Sequence, residues 1–113
     1  MASDGDELSR RAHDTADAHR RVADALRLRE EASRRVAQAY VDLAAVELRE
    51  AEADPDPHTA AARRFRADLS GRHARTVEGE AETTNREADT EQSHAEAAEA
   101  RSAAAHGSHL FEG

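Results

Sequence analysis

The chain contains no cysteine, no tryptophan and no lysine, and has only two prolines and five glycines in 113 residues. Without Cys there is no disulfide and no thiolate metal site, which leaves the redox compartment open. Aromatic residues amount to 3%, so large buried groups are few and bases would find little to stack on. No run of about 18 apolar residues exists, so nothing reads as a membrane span. Met1 to Glu7 is acidic and polar and does not read as a signal peptide. These absences lead us to expect no membrane association, no cofactor and a cytoplasmic location.

What is present is helix-forming and charged. Alanine is the commonest residue, every basic side chain is Arg, and the bias is that of a high-GC bacterial genome. Charged residues reach 35% and the net charge is -8, a balance that argues against nucleic-acid binding. The length allows one domain with a modest core.

Residues 1–6 read as a polar lead-in, in which Asp4 with Glu7 resembles a capping box. From Glu7 to Ala53 neither Gly nor Pro intervenes, which predicts one helix over 7–53, roughly 70 Å long. Its apolar stripe runs Leu8, Ala12, Thr15, His19, Val22, Leu26, Ser33, Val36, Tyr40, Leu43 or Ala44, and Leu48, in helical steps of three and four. Asp54-Pro55-Asp56-Pro57 then ends it. Pro55 disfavours helix at Asp54, Asp56 offers a cap, and Pro57 suits the first position of a second helix. That helix is expected over 57–105, with a kink in 79–85 where Gly79, Thr83, Thr84 and Asn85 gather. Gly107 is its expected C-cap, and 106–113 a flexible tail.

Folding back at the prolines brings together residues whose numbers sum to about 113. Val36, Tyr40, Leu43, Leu48, Phe65, Leu69 and Val77 then become the expected hairpin core. The charges agree. Arg20, Arg27 and Arg34 recur every seven residues, as do Glu82, Asp89 and Glu96 on the facing segment. The expected fold is all-α: a long antiparallel two-helix coiled-coil hairpin. Alanine buries little area, so the hairpin is expected to complete a four-helix bundle by dimerisation or with another helical protein, through Leu28, Val41 and Val46.

Chemistry-bearing patterns are sparse. Glu91-Gln92-Ser93-His94 has the Glu-x-x-His spacing by which bundle helices present two ligands to a metal, and the fold-back sets it beside His19. Glu91, His94 and His19 are therefore the metal candidates, against the plainer reading of a solvated polar face. His19 and His73 also read as register-marking seam residues. No phosphate loop, nucleophile elbow or triad pattern occurs, so we expect no enzyme. The expected function is a non-catalytic interaction or scaffolding module. The alternatives are a two-helix, ferritin-like metal-binding protein whose site forms on dimerisation, and a small helical protein exported without a cleavable signal. In size and hairpin shape the chain resembles the small helical proteins exported by specialised bacterial secretion systems. Their defining Trp-x-Gly turn is here Asp-Pro-Asp-Pro, so membership is not claimed.

Overall fold

The computed structural model describes residues 4–112, with side chains for residues 4–107. Residues 1–3 of the expected lead-in, Gly113 of the expected tail and the side chains of 108–112 lie outside what is described. Two long helices pack against each other as a hairpin: α1, Asp4–Ala53, and α2, Pro57–Glu112. Among the described residues no helix is long and apolar enough to cross a membrane.

α1 begins three residues earlier than expected. Asp4, Asp6 and Glu7 fill its first turn, where carboxylates suit the positive end of the helix dipole. α2 runs helical through Gly79 to Asn85 and past Gly107, so the expected weak stretch and C-cap are both interior to it. A glycine costs about 1 kcal/mol inside a helix, too little to stop one this long. The Thr83 and Thr84 hydroxyls also turn inward, donating to the Gly79 and Glu80 carbonyls at 3.1 and 3.0 Å.

The turn between the helices is held by its own aspartates. The Asp56 amide donates to Asp54 Oδ1 at 2.9 Å. The Asp56 carboxylate accepts from the His58 amide at 3.1 Å and the Thr59 hydroxyl at 2.8 Å, capping α2 with Pro57 at its first position. The Thr59 hydroxyl first, and the His58 amide second, hold the Asp56 carboxyl below its ordinary value. α1 has no basic residue in its last turn, so Glu50 and Asp54 meet the negative end of its dipole. Arg63 of α2 answers them: it ion-pairs with Glu50, reaches Asp54 at 3.5 Å and lies 4.0 Å from Glu47.

The described residues divide into two compact units, each made from a piece of both helices. In the turn unit, Leu28–Thr84, the buried residues are Ala37, Ala51, Ala60, Ala67, Ala74, Ala81, Ser70 and Thr84. Between them come the half-buried Tyr40, Ala44, Glu47, Arg63 and Val77, so the seam steps alternately by three and four on both helices. In the end unit, which runs up to Arg27 and resumes at Asn85, the buried residues are Ala16, Ala23, Ala88, Ala95 and Ala98. Ser9, Ala12, His19, Leu26, Glu91 and Ser102 complete that seam at the same spacing. This is a heptad pattern written in alanine.

The expected core is therefore corrected. Val36, Leu43, Leu48, Phe65 and Leu69 are exposed, from 37% for Leu69 to 64% for Phe65, while Tyr40 and Val77 are half-buried. Among the described residues nothing larger than threonine is buried. Val36, Leu43 and Leu69 each precede a seam position (37, 44 and 70) by one residue, which is about 100° of helix rotation. Small side chains on both sides let the backbones approach more closely than Leu or Phe would. The helices meet along the alanines and turn the large residues outward.

The expected antiparallel register is the observed one. Tyr40 and His73 rings stand 5.3 Å apart, Ser9 and Ser102 hydroxyls share a hydrogen bond at 2.9 Å, and Arg27 meets Asp89 at 3.0 Å. The other heptad-spaced arginines pair differently. Arg20 reaches Glu99 and Asp17, and Arg34 stays with Glu30 of its own helix.

Candidate functional site

The end unit gathers one cluster with ligand chemistry. His19 occupies the α1 seam one turn from both Ala16 and Ala23, and Glu91 occupies the α2 seam between Ala88 and Ala95. Helical spacing then fixes His94, since three residues on from Glu91 a side chain emerges on the same face. His19 Nδ1 lies 2.5 Å from Glu91 Oε2, and the His19 and His94 rings stand edge to face at 5.1 Å. One donor atom from each of the three residues falls within 4.8 Å of the others. His19 and Glu91 are half-buried and His94 is exposed. Two imidazoles and one carboxylate converging from two helices are a donor set suited to a transition metal. The carboxylate nearest in sequence to His19, Asp17, is engaged elsewhere, by Arg20 at 3.4 Å and His13 at 3.6 Å.

Thus the Glu-x-x-His spacing and the fold-back register, taken together, locate this cluster. The alanine seam escaped them, although its signal lies in the sequence: alanine recurs at 60, 67, 74, 81, 88 and 95 without interruption.

The turn unit carries a different surface. Ala32, Val36, Ala39, Leu43 and Val46 are all exposed and follow one another by four and three, forming a second stripe on α1 about a third of a turn from the seam. Leu43 lies three residues from Tyr40 and Leu69 four from His73. The Tyr40–His73 ring contact therefore sets Leu43 and Leu69 on one side of this unit. The expected interface residues divide. Val46 belongs to the stripe, whereas Val41, about 140° round the helix from it, lies with Leu48 on the opposite flank. Leu28, 69% exposed, is on the outer surface between them.

No family model, curated protein or solved structure matches the chain.

Proposed function

We propose that the protein is a non-catalytic helical interaction module of a bacterial cytoplasm that associates with a second copy of itself through the Val36–Leu43–Val46 stripe. The observation that carries this reading is the inversion of the hairpin: its seam is alanine, and its large aliphatic side chains are outside. Apolar burial is worth about 25 cal/mol per Å², so alanine contacts supply little of the driving force that Leu and Val would supply on association. A second hairpin laid on the stripe completes a four-helix bundle.

Charge favours a second copy as the occupant. Arg35 and Asp42 border the stripe seven residues apart with opposite signs. A two-fold axis passing between Gln38 and Ala39 sets Arg35 of each copy opposite Asp42 of the other, the reciprocal pairing that an isologous interface requires. Sedimentation equilibrium across a wide concentration range tests this. Wild type is expected as a dimer, and Val36→Glu with Leu43→Glu as a helical monomer. A wild-type monomer at all concentrations, or a double variant that still dimerises, would end the proposal.

A further inference from the structure

We infer that His19, Glu91 and His94 form a mononuclear zinc-type metal site within a single hairpin, clamping α1 to α2. The inference stands apart from self-association, since all three donors come from one chain and one compact unit.

Geometry carries it. Around a tetrahedral ion with bonds of about 2.0–2.1 Å, donor atoms stand roughly 3.3 Å apart. The present His19–Glu91 separation of 2.5 Å must widen by under an ångström, and the most distant pair, within 4.8 Å, must close by at most about 1.5 Å. His94 is exposed and hydrogen-bonds to nothing among the described residues, so its ring is free to swing inward. An ion at this point replaces the His19–Glu91 hydrogen bond by two coordinate bonds and recruits His94. With three protein ligands the fourth position falls to water. Imidazole and carboxylate together favour zinc, cobalt or nickel over magnesium or calcium, which take oxygen ligands.

Structure elsewhere in the end unit explains what the clamp does. The two helices are linked there by small buried alanines and by polar contacts such as Ser9–Ser102, His13–Glu99 and Arg20–Glu99. A bound ion stabilises the folded state by mass action and ties the helices where the buried residues described are alanines.

The test titrates the full chain with cobalt and zinc. Cobalt is expected to give the visible absorption of a four-coordinate ion, at one equivalent per chain. Zinc is expected to raise the melting temperature and displace the cobalt spectrum. His19→Ala, Glu91→Gln and His94→Ala should each lose the spectrum and the thermal shift, whereas His106→Ala with His109→Ala should keep both. Circular dichroism verifies that each variant is folded. The exposed His94→Ala, which removes no buried side chain, decides the matter if His19→Ala unfolds. Unchanged binding in His94→Ala, loss in the tail variant, or a stoichiometry of one ion per two chains would overturn the inference.

Discussion

The two units solve the same packing problem with the same alanine seam and differ in what they place around it. In the end unit the surroundings are polar and reach across: Ser9 to Ser102, His13 to Glu99, His19 to Glu91, Arg27 to Asp89. In the turn unit they are greasy and face outward: among the described residues, eight of the ten exposed large hydrophobic side chains (Leu28, Val36, Val41, Leu43, Val46, Leu48, Phe65 and Leu69) lie there. Among the residues whose side chains are described, the end unit has two, Leu8 and Val22. The difference teaches that in a thin hairpin the seam sets closeness and the flanks set role. One unit surrounds its seam with polar links between the two helices, the other with large aliphatic side chains on its surface.

The largest effect should come from the feature the units share. Ala74→Leu in the turn unit and Ala95→Leu in the end unit each force a large side chain into a seam position where a methyl group is already buried. Overpacking of this kind costs about 1–3 kcal/mol, so urea midpoints should fall clearly in both. Leu28→Ala, at a largely exposed position, should stay within about 0.5 kcal/mol. A Leu28→Ala variant less stable than Ala74→Leu would show that the large residues, not the alanines, form the core.

An intermediate effect is expected at the turn, where polar links do structural work in the greasy unit. Arg63→Ala leaves Glu47, Glu50 and Asp54 together at the negative end of α1. The Glu47 Oε2 atom is buried without a hydrogen bond, with Arg66 at 3.8 Å and Arg63 at 4.0 Å. The loss should be about 1 kcal/mol at low ionic strength and smaller in 1 M salt, because salt screens the repulsion left behind. A loss that grows with salt would contradict the electrostatic account.

The smallest effect concerns Asp56. Its folded carboxyl titrates below its ordinary value of 3.8 because the Thr59 hydroxyl and His58 amide favour the charged form. A depressed carboxyl contributes stability that is fully present above 3.8 and is lost as pH falls through the lowered folded value. Asp56→Ala should therefore melt below wild type at pH 7, and the gap should narrow below pH 3.8. A gap that widens in acid would reverse the assignment of the cap.

Much of this was legible in the sequence. Pro55 and Pro57 fixed where α1 ends and α2 begins, and folding back at so short a turn set the register that joins Tyr40 to His73 and His19 to Glu91. Of the seven-residue charge series, Arg27–Asp89 pairs as expected while Arg20 and Arg34 pair elsewhere. The rotational phase was not legible. A pattern reading weights Val, Leu and Phe because they bury the most area, and so it placed Val36, Leu43 and Leu69 inside. Area says nothing of how closely two backbones approach. Once they approach to alanine distance, the apolar residue one position later, Ala37 or Ala44, wins the seam and its larger neighbour is rotated out. Gly79 and Gly107 misled for a related reason: glycine propensity is a local quantity, and both lie within a helix whose neighbouring turns continue on either side.

The run of alanines at 60, 67, 74, 81, 88 and 95 has a further consequence. Displace α2 by one heptad against α1, and almost every methyl group meets another methyl group. The seam is a ruler whose graduations carry no numerals, so it resists separation far better than it resists slippage. The reading on that ruler has to be set by the unrepeated marks, the ring of Tyr40 on His73, the imidazole of His19 on Glu91, and three residues of turn too short to let either strand creep.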